Sequence, residues 1–330
     1  PYRRQRQMCI RDRSSLETDA FGRRFFVLDI LLVTGSYVLV ILIGSICAQS
    51  GFIASETKNV VSKMLFYITL PATVIYSFVG FEFDATLLIA SAIGLASTLL
   101  GFFGTVLYTM KKSPEKRAFH TLLGYGYNVG CFALPFVSAQ FGPAGVVAAC
   151  MFDLGNCIMV SGGGYALTRA FILKKRTEGV LLSILRTLLK SPALDCYVVL
   201  ILLSLAGLSV PASIGVLLEP LMHANSFLAM FMIGLAMEWK IDKGRLKEVL
   251  QCLCWRVFVA VVFCAIVYFF IPMAESVKVV TIVCMLAPIM SVGLVYVMWI
   301  DGDTKMAGFA ISLSVAVSLV LMTTATMLLS

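Results

Sequence analysis

The sequence predicts an all-α integral membrane protein of ten transmembrane helices in two inverted five-helix repeats, with crossed broken helices at spans four and nine. The prediction rests on the apolar composition, on ten apolar segments of membrane-spanning length, and on similar elements in the two halves. Hydrophobic residues make up 60% of the chain and charged residues 13%, with a mean hydropathy of +0.95. A soluble domain is nearer half apolar and a quarter charged, so the composition excludes water as the main solvent of this surface.

A transmembrane helix needs about 20 mostly apolar residues to cross about 30 Å of hydrocarbon. The 330 residues can therefore hold ten such segments joined by short connections. Apolar runs separated by charged residues place the spans at 29–50, 60–80, 86–110, 119–141, 144–171, 192–210, 214–238, 249–272, 276–299 and 305–329.

Residues 1–14 are expected to be a non-native tail. They begin PYRRQRQMCIRDR, a polar and basic run that differs from everything after it and resembles a translated adapter sequence. Its five Arg and one Asp contribute +4 of the net charge of +8. The alternative is a basic tail that contacts anionic lipid. Without the tail the net charge is +4, which requires no nucleic-acid partner to explain it.

The distribution of Lys and Arg predicts the orientation. The connections after odd-numbered spans, with their flanks, hold 18 of the 26 Lys and Arg, and the opposite side holds three once the tail is set aside. Because positive residues are retained on the cytoplasmic side, both termini are predicted to lie outside the cytoplasm. The connection at 172–191 then lies inside, where its basic and apolar residues suit an amphipathic helix on the membrane or a plain linker.

Two pairs of similar elements divide the chain into repeats at 15–171 and 192–330. Tyr37-Val-Leu-Val-Ile-Leu-Ile is similar to Tyr197-Val-Val-Leu-Ile-Leu-Leu, and Ala133-Leu-Pro135 is similar to Leu286-Ala-Pro288. Since five spans is an odd number, the second copy must cross the membrane upside down relative to the first. Inverted repeats are typical of secondary transporters, which bind substrate near the midplane between the repeats. Chance similarity between apolar segments is the alternative.

Two prolines indicate where spans four and nine break. Pro135 lacks an N–H and would clash with the carbonyl of Cys131, and Gly130 adds backbone freedom just before it. New half-helices are therefore expected to start at Pro135 and Pro288, with their positive ends facing an anion between them. A simple helix kink at each proline is the alternative. The candidate substrate-binding residues are Asn128, Gly130, Pro135, Asn156, Pro288, Met290 and Ser291.

Asp153 is the candidate for proton coupling. It lies about ten residues into span five, which at 1.5 Å per residue places it near the middle of the membrane. A carboxylate at that depth is costly and usually functional, although a packing hydrogen bond would also account for it. Asn156 shares its helix face. Arg256 is expected near a span end, at the membrane interface.

These segments resemble the auxin efflux carrier family, which includes bacterial malonate-type permeases and plant auxin carriers. The matching elements are Asn128-Val-Gly130-Cys-Phe-Ala-Leu-Pro135, Phe66-Tyr-Ile-Thr-Leu-Pro71-Ala, Phe152-Asp153 with Asn156, and Asn225 through Ile233-Gly234-Leu235. The first resembles the family's Asn-x-Gly-x-x-Gly-x-Pro signature, with Ala133 at the second Gly, and the segment after Pro288 lacks the amide residue of some members. The resemblance implies ten spans in two inverted halves, crossed broken helices at spans four and nine, and proton- or potential-linked movement of carboxylates. The short fifth connection is similar to bacterial members, so the bacterial inner membrane is the expected location.

The leading hypothesis is a secondary transporter of a small mono- or dicarboxylate, with no cofactor, no metal and no enzymatic activity. An intramembrane lipid-modifying enzyme would need clustered Asp or His residues at a membrane face, and the sequence has no such motif. A non-transporting sensor or assembly subunit is the other alternative. The sequence leaves open whether the chain forms a homodimer, which anion it would carry and in which direction.

Overall fold

A computed structural model of the chain describes residues 27–54, 57–81, 87–174, 192–240 and 243–329, and this part of the chain is helical without a β-strand. The helices are α1 Val27–Gln49, α2 Thr57–Met64, α3 Leu70–Ser77, α4 Leu87–Tyr108, α5 Pro114–Gly124, α6 Leu134–Ile158, α7 Gly164–Phe171, α8 Pro192–Leu205, α9 Ala212–Leu235, α10 Lys243–Phe270, α11 Glu275–Met285, α12 Gly293–Trp299 and α13 Thr304–Leu329. Wider π-helical turns at Leu65–Thr69, Val129–Ala133 and Met159–Gly163 join α2 to α3, lead into α6, and join α6 to α7. The predicted tail at 1–14 lies outside the described residues, as does 175–191 of the predicted connection.

Seven helical segments in these ranges are long and apolar enough to cross a membrane. They are Val27–Gln49, Asn59–Ser77, Leu87–Tyr108, Val129–Phe171, Ala212–Leu235, Lys243–Phe270 and Thr304–Leu329. The sequence predicts ten spans, and the number differs for two reasons. The predicted spans 119–141 and 144–171 share the one segment Val129–Phe171, and the helices within 192–210 and 276–299 are each too short to cross alone. The apolar composition and these seven helices indicate that the chain is a multi-pass membrane protein.

The segment Val129–Phe171 is bent at Gly142. Its 43 residues would form a straight helix of about 65 Å, twice the hydrocarbon thickness. Gly142 interrupts it with φ of 64°, a conformation that glycine adopts without steric cost, and Pro143 follows. The bend coincides with the predicted boundary between the segments 119–141 and 144–171.

Large apolar side chains cover the outside of the long helices. Leu32, Val216, Leu217 and Phe269 are all more than 60% exposed. A soluble monomer rarely exposes such continuous apolar surface, whereas hydrocarbon is a favourable solvent for it. These side chains are therefore expected to face lipid.

Glycines allow close contact between α4 and α6. A Cβ atom on Gly155 would lie 1.9 Å from the carbonyl oxygen of Ser91, and one on Gly94 would lie 2.1 Å from that of Phe152. Small residues at membrane helix interfaces let backbones approach in this way. The contact fixes the part of α6 that carries Asp153 and Asn156.

Two helical interruptions meet inside the protein. α5 ends at Gly124 and helical structure resumes at Val129, while α11 ends at Met285 and α12 starts at Gly293. Tyr127 and Ile289 form an isolated antiparallel bridge between these interruptions. The backbone N–H of Asn128 donates to the carbonyl oxygen of Pro288 at 3.0 Å.

The first interruption lies earlier than the sequence predicts. The expected start of the half-helix was Pro135, but Pro135 is the second residue of α6 and follows a helical turn without a break. The π-helical turn Val129–Ala133 explains the difference. In it the N–H of Ala133 donates to the carbonyl of Asn128, five residues back, and this wider spacing accommodates a proline that would clash in a regular α-helix. Pro288 does lie within its interruption.

Candidate functional site

A cavity of about 180 Å³ lies where the two interruptions meet. Its walls come from the first interruption and the turn after it, the π-helical turn between α2 and α3, the second half of α6, α8 and the second interruption. Six of the eight residues singled out from the sequence line it: Asn128, Gly130, Asp153, Asn156, Met290 and Ser291. These residues come from three separate parts of the chain, and only the fold brings them together.

Pro135 and Pro288 do not line this cavity. The carbonyl oxygen of Pro135 accepts a hydrogen bond from the Tyr37 hydroxyl at 2.9 Å, which ties α6 to α1. The carbonyl oxygen of Pro288 accepts from the N–H of Asn128. Both prolines thus contact the protein framework, and a role for them in substrate binding stays a prediction.

The helical start that does face the cavity is at Val129. Val129, Gly130 and Cys131 all line it. The first N–H groups of a helix have no acceptor within the helix, and they carry the positive end of its dipole. This end of the segment can therefore donate hydrogen bonds to a bound anion.

Asn128 joins the two interruptions. Its side-chain Nδ2 donates to the Ser291 hydroxyl at 2.9 Å, in addition to the backbone bond to Pro288. The Asn128 side chain is buried and lines the cavity together with Ser291. A ligand that accepts from one of these groups would therefore contact both halves of the chain.

Asn156 holds the backbone of Tyr127 from both sides. Its Oδ1 accepts from the N–H of Tyr127 at 3.2 Å, and its Nδ2 donates to the carbonyl oxygen of Tyr127 at 3.0 Å. The amide thus replaces the partner that a neighbouring helical turn or strand would supply to an interrupted backbone. Nδ2 also donates to Oδ1 of Asp153 at 2.8 Å. Because its amide is fully engaged, Asn156 positions the site rather than offering a free donor.

Asp153 is buried at the cavity, with 7% of its surface exposed. None of the ion pairs among the described residues involves it. An ionised carboxylate in such a place is costly unless it is paired or hydrogen bonded. Among the described residues, the buried Asp153 carboxyl group thus has a hydrogen bond from Asn156 and no ion-pair partner.

Arg256 is a functional candidate that the sequence reasoning missed. It was expected at the membrane interface, but it is 94% buried, with 6% of its surface exposed. Its Nη2 donates to the carbonyl oxygens of Ala287 and Pro288 at 3.0 and 3.1 Å, and its guanidinium lies 5.1 Å from the ring centre of Tyr127. Nη1 has no hydrogen-bond partner among the described residues. The signal that could have revealed Arg256 is its position seven residues inside the predicted span 249–272, since a charge at that depth usually has a function.

Arg256 brings a positive charge to the interruptions. The described residues provide no carboxylate within ion-pair distance of it. Its hydrogen bonds stabilise the carbonyl groups of Ala287 and Pro288, which lie outside the helices. Its guanidinium also lies over the ring of Tyr127, which lines the cavity. The site thus combines backbone donors, one buried cation and one buried carboxyl group.

Two other segments singled out in the sequence, 66–72 and 225–235, also contact each other. The hydroxyl of Thr69, beside Leu70 and Pro71, donates to Oδ1 of Asn225 at 3.0 Å. Phe66 and Leu70 from the same segment line the cavity. Thr69 and Asn225 therefore attach α9 to the wall of the site.

The described residues contain no group of three or more His, Cys, Asp or Glu side chains placed to hold a metal ion. No protein-family model matches this chain, and no curated protein matches it.

Proposed function

We propose that this chain is a secondary transporter that moves a small organic anion, a mono- or dicarboxylate, across the cytoplasmic membrane by alternating access. The observation that carries the proposal is the cavity at the contact between two interrupted helices. Interrupted helices in a membrane leave backbone groups unpaired, which is tolerated where those groups face protein, ions or water. Transporters use such places to bind charged substrates.

In this proposal the chain has ten spans in two inverted five-helix repeats, 15–171 and 192–330, which cross at the interruptions. The short helices α5, α11 and α12 then form parts of two broken spans. Both termini lie outside the cytoplasm of a bacterial cell, in keeping with the distribution of Lys and Arg. Alternating access follows if one group of helices rocks against the other around the cavity.

The chemistry of the cavity favours a small anion. The N–H groups at the start of the Val129 segment and the amide of Asn128 can donate to a carboxylate. The charge of Arg256 supplies a positive potential from behind the Tyr127 ring. The cavity of about 180 Å³ is smaller than the roughly 300–1,000 Å³ of pockets for drug-sized ligands. This size favours a substrate of only a few carbon atoms.

Asp153 provides a means of proton coupling. A carboxylate substrate and an ionised Asp153 in one small cavity would repel each other. Binding the anion together with a proton on Asp153 removes this repulsion. Transport would then follow the proton gradient as well as the substrate gradient.

The proposal is tested by uptake into liposomes that contain the purified protein. Radiolabelled acetate and malonate are supplied outside, with and without an imposed pH gradient. Asn128→Ala is expected to raise KM by about 10- to 100-fold, because it removes one hydrogen bond to a charged ligand. Asp153→Asn is expected to abolish the response to the pH gradient.

Thr34→Val is the matched control for these variants. It removes a buried hydrogen bond of 3.1 Å to Thr323 and does not touch the cavity. Its uptake should equal that of the unmodified protein. Uptake of neither acid, or equal uptake by all variants, would contradict the proposal.

A non-transporting sensor or assembly subunit is distinguished by the same preparation. Such a protein would bind a carboxylate, seen as a rise in its melting temperature, without moving it across the membrane. A lipid-modifying enzyme would instead change the composition of the liposomes.

A further inference from the structure

A second cavity lies on the outer face of the protein and includes Trp255, the neighbour of Arg256 on α10. It is a groove of about 640 Å³ between the end of α4 and the first half of α10. Its main lining residues are Tyr108, Lys243, Lys247, Gln251, Trp255 and Phe258. None of them lines the cavity at the interruptions.

The groove changes from basic to aromatic along its length. Lys243, Lys247, Gln251 and Trp255 follow each other at intervals of four, which places them on one face of α10. Phe258 continues this face, and Lys243 to Phe258 spans about 22 Å at 1.5 Å per residue. Such a length covers a lipid headgroup and much of one leaflet's hydrocarbon.

No described residue forms an ion pair with the two lysines of the groove. Lys243 and Lys247 are exposed, and neither has an ion-pair partner among the described residues. Neighbouring cations do have partners, since Arg245 pairs with Asp303 and Lys112 pairs with Glu248. The two free lysines therefore present charge to a molecule outside the protein.

The aromatic end of the groove is rigid. The rings of Tyr108 and Trp255 stack with centroids 4.4 Å apart and planes 3° apart. The indole N–H of Trp255 donates to the hydroxyl of Thr105 at 2.9 Å, which fixes the ring. Phe258 is 60% exposed beside this pair. Trp and Tyr are enriched where a membrane changes from polar to apolar, so this end of the groove suits a lipid's glycerol and upper chains.

We propose that this groove binds one anionic phospholipid from the leaflet on the side predicted to be cytoplasmic. The phosphate would lie between the ammonium groups of Lys243 and Lys247, and an acyl chain would lie along Trp255 and Phe258. Clusters of Lys at the cytoplasmic end of a membrane helix attract anionic headgroups in this way. A second copy of the chain fits less well, because a two-fold contact through this groove would bring four lysines together.

The inference does not depend on transport. The test uses the purified full chain in nanodiscs made with brominated phosphatidylglycerol or with brominated phosphatidylcholine of the same chains. Bromine quenches the fluorescence of a nearby Trp. The emission of Trp255 is the difference between the unmodified protein and the Trp255→Phe variant. Brominated phosphatidylglycerol should quench this emission more than brominated phosphatidylcholine does. Dilution of each brominated lipid with unbrominated lipid of the other headgroup then gives the relative affinity for the two headgroups.

The double variant Lys243→Gln, Lys247→Gln should weaken the preference for phosphatidylglycerol by roughly 30-fold, from two lysine–headgroup attractions. Lys111→Gln with Lys305→Gln is the matched control, because it removes the same charge from the same predicted side outside the groove. Equal quenching by the two lipids would overturn the proposal, as would an equal loss in the control. Soluble glycerol phosphate that competes as well as the lipid would also overturn it, since a headgroup site alone would then explain the binding. A dimer joined by cross-links between groove residues would show that a second copy is the occupant.

Discussion

Asn156→Ala tests whether a single amide holds the first interruption in place. The side chain of Asn156 makes two hydrogen bonds to the backbone of Tyr127 and one to Asp153. Tyr127 is 4% exposed, so alanine at 156 would leave its N–H and carbonyl groups without this partner and shielded from water. The variant should therefore unfold more easily than the unmodified protein.

The size of the effect follows from these contacts. A buried polar group left unsatisfied costs about 1–3 kcal/mol, so two such groups cost about 2–6 kcal/mol. Hydrogen bonds between membrane helices average about 0.6 kcal/mol, and three of them amount to about 2 kcal/mol. Both approaches give a loss of at least about 2 kcal/mol in the free energy of unfolding.

The assay is reversible unfolding in mixed micelles, in which SDS is titrated and helix content is followed by circular dichroism. Thr34→Val is the reference, since it removes one buried hydrogen bond remote from the cavity. Its expected loss is about 0.6–1 kcal/mol. If Asn156→Ala lost no more stability than Thr34→Val, the reasoning that the amide replaces the missing backbone partners would be refuted.

Two further predictions concern the charge and the packing around the site. Arg256→Met should raise KM for anion uptake at least tenfold relative to Arg256→Lys, because only lysine keeps the buried charge; equal KM values in liposome uptake would exclude a role for that charge. Gly155→Ala should lower the free energy of unfolding by about 1–3 kcal/mol or more, since its Cβ would lie 1.9 Å from the backbone oxygen of Ser91. Gly35→Ala is its control in the same SDS titration: no atom lies within 4 Å of the added Cβ, so the change should be neutral or stabilising by up to about 1 kcal/mol, and equal losses in the two variants would contradict the packing explanation.

The sequence predicts where the chain meets lipid because the solvent selects the side chains. Hydrocarbon requires long apolar helices, and their positions can be read as runs between charged residues. The seven long helices correspond to such runs, and the bend at Gly142 falls at a predicted boundary. Ten spans in inverted repeats remain a prediction. Several helices are shorter than a membrane crossing, and their length does not show whether two of them together form one broken span.

The site is partly predictable for a different reason. Asn128, Asp153 and Asn156 attract attention in sequence because polar side chains inside apolar segments are expensive. Met290 and Ser291, which follow Pro288 in the sequence, also line the cavity. The role of Asn156 was not predictable, since its partner Tyr127 lies 29 residues away in the chain.

The solvent of this protein, its helical class and most of the polar residues that line its cavity follow from the amino-acid sequence alone. The place where the first helix is interrupted depends on the fold, because a π-helical turn accommodates Pro135 and the break lies at residues 125–128. The position of Arg256 at the interruptions also depends on the fold, since the packing of α10 against the second interruption brings its guanidinium to the carbonyl groups of Ala287 and Pro288. Composition acts on each segment separately, whereas a hydrogen bond between distant segments exists only after the chain has folded.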